Sequence, residues 1–181
     1  PVMSYLPILS DIILWNQCGS VSSSNMKRLM KAGENVSLLP GGFEEAALFK
    51  TNEHRLFIKK RKGFIKYALQ FGYSVRPTYC FGEEQTYHTC NFLESFRLRL
   101  AANNIPPVLF FSSLKRLFFL PLEDFALNIV VGEPIKFPTI PSPTVAEIDK
   151  HHAIYMAALL KLFDDNKGKL AADANATLEL L

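Results

Sequence analysis

The plainest pattern of apolar and polar positions lies late in the chain. Pro143 precedes Thr144-Val-Ala-Glu147, a capping box in which the threonine and the glutamate satisfy each other's orphan amides. Ile148, Tyr155, Leu159, Leu162 and Phe163 then form an apolar helical stripe. A second helix is predicted over "KGFIKYALQFG" (62–72), with Phe64, Ile65, Ala68, Leu69 and Phe71 largely on one face and Gly72 as C-cap. "SSSNMKRLMKAG" (22–33) supplies serine caps, a short basic helix and a glycine stop. "SYLPILSDIILW" (4–15) is apolar at near-helical spacing. Between these lie strand candidates. "NVSLLP" (35–40) predicts a buried strand ending at two glycines. "SVRPTYCFG" (74–82) predicts a strand that Pro77 makes irregular or an edge. "ALNIVVGEPI" (126–135) predicts another, ended by a glycine and a proline. Strands alternating with helices predict an α/β layer fold. Residues 1–170 are expected to share one domain, and 171–181 to be a frayed tail.

Composition narrows what such a fold does. A chain of 181 residues, 49% apolar, suits one domain with a sizeable core. Its fifteen phenylalanines point to an apolar surface or pocket as well. A net charge of +3 is too weak to argue for nucleic acid. Cys18, Cys80 and Cys90 have no CxxC spacing, so a zinc site or disulfide framework is not expected. The histidines make no HExxH pattern, and GxSxG, GxGxxG and P-loop motifs are absent. His151 and His152, on the last helix, read as surface or packing residues. Asp164–Gly168 fails as a calcium loop because its glycine falls one place early and no closing glutamate follows. No metal is expected. The chain opens on Pro1 without signal-peptide features and reads as a piece of something longer. No stretch reaches the ~20 apolar residues that span a bilayer.

"LLPGGFEEAALFK" (38–50) is the first sharp motif. A strand-to-glycine-to-helix junction can bind phosphate through free amides and the helix dipole. Here the first turn carries Glu44 and Glu45. A like-charge pair about 6 Å apart costs about 3 kcal/mol at an effective dielectric near 20. That exceeds the ~2 kcal/mol a helix terminus returns at best. Phosphate therefore does not sit on this turn. Two readings stay open: a glutamate that orients a base or an acceptor hydroxyl, and two glutamates that merely complement the dipole in solvent. Phosphate fits better along "HRLFIKKRKG" (54–63), where Arg55, Lys59, Lys60, Arg61 and Lys62 crowd together, unless that run is only a solvated loop. "NNIPPVLFFSSLKRLFFLPLEDF" (103–125) frames Lys115 and Arg116 with phenylalanines, as an interfacial or a core segment would.

Three blocks together resemble the type 2 diacylglycerol acyltransferase family. Gly41-Gly42-Phe43-Glu44-Glu45 matches a Gly-Gly-x-x-Glu element. "RKGFIKYALQFGYSVRPTYCFGE" places Arg61, Gly63, Phe64, Ala68, Gly72, Pro77, Phe81, Gly82 and Glu83 at the family's spacing. Val131-Gly132-Glu133-Pro134-Ile135 and the helix after it close the match, which runs from about residue 5 to about residue 170.

The resemblance implies a layered acyltransferase fold, a sheet flanked by helices, of which this chain is the C-terminal part. It implies transfer of a fatty acyl group from acyl-CoA to the hydroxyl of diacylglycerol, with no cofactor beyond that co-substrate. It also implies an endoplasmic reticulum membrane protein, acting at the cytosolic face and associated with lipid droplets. The family's catalytic base is assigned to an upstream His-Pro-His-Gly motif, absent from these residues, so the chain is expected to start after it. Glu45 is then expected to orient the base or the acceptor, with Gly41 and Gly42 leaving room for substrate. Lys59, Lys60, Arg61 and Lys62 are expected to meet the CoA phosphates, and Gly63, Phe64, Pro77, Phe81 and Gly82 to shape the substrate site, Phe64 and Phe81 along an acyl path. The rival reading is an inactive fragment of the family that binds only a lipid surface or a partner.

Overall fold

The computed structural model describes residues 11, 15–89, 94–103, 110–111, 122 and 125–181. The segments 4–15 and 103–125 lie almost wholly outside them, as does Cys90. The chain forms two compact units, Pro1–Ser37 and Leu38–Leu181.

In the first unit, helix α1 (Ser23–Lys31) starts at Ser22, whose hydroxyl accepts the Asn25 N–H. It buries Met26 and Met30, four residues apart and so on one face.

The second unit opens with α2 (Gly42–Leu48), β1 (His54–Leu56) and α3 (Gly63–Phe71). Then come β2 (Ser74–Val75), β3 (Thr78–Phe81), a 3₁₀ turn (Glu83–Gln85), β4 (His88–Thr89), α4 (Glu94–Ala102) and β5 (Phe110–Phe111). β6 (Asn128–Val131), β7 (Ile135–Lys136), α5 (Val145–Leu170) and β8 (Leu178–Leu180) complete it. The mixture of helix and strand agrees with an α/β class. Among the described residues the strands join as two-stranded ladders, β2–β7, β3–β6 and β4–β5 antiparallel and β1–β8 parallel.

Local rules account for most boundaries. α5 begins at the expected box, with the Thr144 hydroxyl accepting the Glu147 N–H and the Glu147 carboxylate accepting the Thr144 N–H (2.8 Å). α3 ends at Gly72, left-handed at φ +68°. Pro77 has no N–H to give, and it splits the expected strand 74–82 into β2 and β3. Tyr155, Leu159 and Phe163 on α5 are buried at intervals of four against Ile65 and Leu69 of α3 and Tyr79 and Phe81 of β3. Phe81 stacks on Phe163 with centroids 5.3 Å apart, and Tyr79 meets the same ring edge-on at 5.1 Å. Each such side chain, fully buried, contributes roughly 2 kcal/mol.

Two expectations fail. Residues 35–40 form no strand: Leu39 is 90% exposed, and nothing among the described residues pairs with this backbone. The double glycine therefore joins coil to helix. The tail expected to fray carries β8, paired in register with β1, and Leu178 is buried in the core. An apolar side chain with somewhere to dock, plus ladder bonds, outweighs terminal fraying.

Candidate functional site

The corner at 41–45 is tighter than a dipole complement in solvent. Glu45 folds back on its own helix start, so its carboxylate fills the space a side chain on Gly41 would need. There Glu45 Oε2 accepts the Phe57 N–H at 2.9 Å. Glu44 turns the other way and pairs with the Arg61 guanidinium, which also lies over the Phe57 ring, 5.4 Å from its centroid. The repulsion between the two glutamates is thus met by separate partners, an amide and a cation. Gly42 sits in the left-handed region at φ +65°, facing the same guanidinium. Burial pushes the Glu45 carboxyl above the usual range; the Phe57 amide opposes this, nearby Glu83 reinforces it, and Arg61 opposes it.

The basic run wraps this corner. Arg55 pairs with Glu179 (2.8 Å) and donates to the Leu48 carbonyl. Lys62 pairs with Asp149 of α5 (2.7 Å). Lys59 and Lys60 are exposed, with no ion pair among the described residues. Gly63 faces open space, and Phe64 packs edge-on against Tyr155 (5.1 Å) and His152 (6.3 Å).

Gly41, Gly42, Glu45 and Arg61 therefore meet at one corner, and Lys62, Gly63 and Phe64 continue from it toward α5. Pro77 and Phe81 sit in the core instead, and Gly82 is left-handed at φ +92° against the Ala126 carbonyl. Phe81 is fully buried in the Phe163 stack and lines no open path among the described residues.

Other functional groups were not singled out by sequence pattern. His54 is buried, with Nδ1 2.8 Å from the Tyr79 hydroxyl and 3.7 Å from Glu84 Oε2. Glu84, also buried, accepts the Gly82 N–H. Burial and the Glu84 and Glu83 charges raise the Tyr79 phenol, while Glu83 itself is raised by desolvation and by Glu84. His152 is almost wholly buried, and burial holds its pKa down against the opposing pull of the Ile58 backbone. Glu83 carried a signal, standing in the densest motif block. His54, Tyr79 and Glu84 carried none, because their meeting depends on side chains brought together from segments 25 or more residues apart in the chain. His54 and Glu84 also wall an open polar depression of about 590 Å³ that extends along 172–179. No His, Cys, Asp and Glu group among the described residues could hold a metal ion, and no described helix is long and apolar enough to cross a membrane.

The family profile described as diacylglycerol acyltransferase matches residues 2–181. The chain is 35% identical over 184 residues to diacylglycerol O-acyltransferase 2-like protein 6 of Homo sapiens, covering 90% of this chain and 53% of that protein. It is 33% identical over 186 residues to diacylglycerol O-acyltransferase 2 of Dictyostelium discoideum, covering 97% and 56% respectively. With acyl-CoA wax alcohol acyltransferase 1 of Mus musculus it shares 32% over 182 residues, covering 90% and 52%. The chain spans about half the length of these relatives. No solved structure matches it significantly.

Proposed function

We propose that this chain, which belongs to the diacylglycerol acyltransferase family, is part of an acyl-CoA-dependent O-acyltransferase that converts diacylglycerol to triacylglycerol. The observation that carries the reading is the corner itself: a half-buried Glu45, its carboxyl pKa raised by burial, beside Arg61, with two exposed ammonium groups on the adjoining loop that have no ion pair among the described residues. In the reaction the acceptor hydroxyl oxygen attacks the thioester carbonyl carbon and its proton passes to a base. The carbon–sulfur bond then breaks, and the CoA thiolate leaves and is protonated. Such a step needs a proton acceptor, an orienting group for the hydroxyl and a seat for the CoA phosphates. With Oε2 held by the Phe57 amide, Glu45 has Oε1 to orient the acceptor or the base. That base is expected in a His-Pro-His-Gly motif outside these residues. No cofactor takes part besides the co-substrate acyl-CoA. The fold proposed for the whole enzyme is the layered acyltransferase type. Its place is the cytosolic face of the endoplasmic reticulum membrane and lipid droplets, where the neutral-lipid acceptor is dissolved.

The test is the full-length protein expressed in microsomes, given labelled acyl-CoA and diacylglycerol, monoacylglycerol or a long-chain alcohol in turn. Labelled triacylglycerol is expected, and Glu45→Gln should lower kcat by at least about tenfold, less than the roughly 10²–10⁴-fold of a group that itself transfers the proton, because Glu45 orients the acceptor or the base. No labelled product with any acceptor overturns the acyltransferase reading. Product from the alcohol alone moves the acceptor to wax alcohols, and unchanged kcat in Glu45→Gln removes Glu45 from the chemistry.

A further inference from the structure

Five cations crowd the stretch from Arg55 to Lys62, and internal carboxylates neutralise three of them, Arg55 through Glu179, Arg61 through Glu44 and Lys62 through Asp149. Among the described residues that leaves Lys59 and Lys60 without a carboxylate partner. The backbone that carries them is fixed by the last strand. Leu181 donates its N–H to the Leu56 carbonyl (2.8 Å), and its own carbonyl accepts both the Ile58 N–H (3.0 Å) and the Lys59 N–H (2.8 Å). β8 is itself held twice, by buried Leu178 and by Glu179 on Arg55. Ordering a loop residue costs about 1–2 kcal/mol. A loop already ordered in the folded protein does not incur that backbone cost on binding, and the points from which its two lysine side chains leave keep a constant separation.

We propose that β8 and Leu181 form a strap that positions Lys59 and Lys60 as the contact for the phosphates of acyl-CoA. This rests on the acyl-CoA reading above. Lysine ammonium groups suit that task as compact, strongly hydrated point charges. The phosphate of an anionic lipid headgroup offers the same chemistry. The thioester is the choice here because the two lysines follow directly on the loop that pairs with the Glu44–Glu45 corner.

The experiment uses the full-length protein in phosphatidylcholine nanodiscs, read by acyl-CoA kinetics, equilibrium binding of CoA and hydrogen exchange at Ile58 and Lys59, with binding of the detergent-purified protein to phosphatidylserine vesicles measured beside them. The double variant Lys59→Ala/Lys60→Ala is expected to raise KM for acyl-CoA and Kd for CoA about tenfold, which corresponds to about 1.4 kcal/mol. Its kcat should stay within about twofold, since these contacts are made equally in ground and transition states. Leu181→Pro, which deletes the N–H, should shift KM the same way and speed exchange at both amides. Leu181→Ala keeps all three backbone bonds and should do neither, whereas a packing role for the side chain would predict the reverse.

If KM and Kd stay unchanged in the double lysine variant, the phosphate contact is overturned, even while turnover continues. Loss of binding to phosphatidylserine vesicles with unchanged KM assigns the lysines to lipid and overturns it too. Unchanged KM in Leu181→Pro despite faster exchange removes the strap. Should the protein bind CoA through these lysines yet transfer no acyl group, the proposal stands and the acyltransferase reading falls. No CoA binding by the unaltered protein overturns the proposal outright.

Discussion

Replacing Gly41 by alanine tests the corner most directly. Gly41 has φ −62°, a conformation any residue adopts, so the substitution imposes no backbone strain. A methyl group there would collide with the Glu45 carboxylate and with the Glu45 Cβ. Two small terms offset each other: alanine reduces the unfolded chain's freedom by about 0.4–1 kcal/mol, and glycine is the better N-cap by a similar amount, of order 0.5–1 kcal/mol. The collision then decides the sign. The carboxylate can swing away only by leaving the Phe57 N–H without its acceptor, at about 1–3 kcal/mol, and the contact with the backbone-fixed Glu45 Cβ must be relieved by a backbone shift, at about 1–3 kcal/mol. A loss of at least about 2 kcal/mol is expected. In a Glu45→Gly background the whole obstacle, Cβ included, is gone, and Gly41→Ala should cost under about 0.5 kcal/mol, giving a coupling of at least about 1.5 kcal/mol. Denaturant unfolding of the four purified full-length proteins, with m values compared as well as midpoints, measures this cycle. Equal costs for Gly41→Ala in both backgrounds would refute the fold-back of Glu45 over Gly41.

The raised Glu45 pKa gives a signed pH dependence. The folded state holds that proton more tightly than the unfolded state, so this group's contribution to stability is greatest at low pH and is lost as pH rises through its folded pKa. Glu45→Gln should therefore be more stable than the unaltered protein at neutral pH, with the advantage vanishing as pH falls to the ordinary carboxylate range; a pH series of unfolding midpoints shows it. Tyr79→Phe removes the hydroxyl bonded to buried His54 and should destabilise by about 1–3 kcal/mol. Gly82→Ala combines φ +92° with a collision on the Ala126 carbonyl backbone, which cannot yield as a side-chain tip can. It should cost about 3 kcal/mol or more, seen as loss of folded protein on expression.

What residue order alone determined is what depends on near neighbours. The capping box at Thr144, the stripe Tyr155–Leu159–Phe163, the stop at Gly72 and the break at Pro77 follow from periodicity and backbone stereochemistry, which act over a few residues. Motif spacing carried the family likewise, because it needs no knowledge of contacts. Two local readings failed where a distant partner was decisive: 35–40 had strand-like residues but nothing to pair with among the described residues, and 178–180 had a tail's position but β1 beside it. Only the tertiary structure decided which charges are free. Arg61 and Lys60 are neighbours of equal charge in the chain, yet one faces Glu44 from another element and the other faces solvent. Only it, too, brought His54 to Tyr79 and laid Leu181 along Ile58 and Lys59. Coulomb energy and hydrogen bonding fall off over ångströms of space, and separation along the chain does not measure that distance.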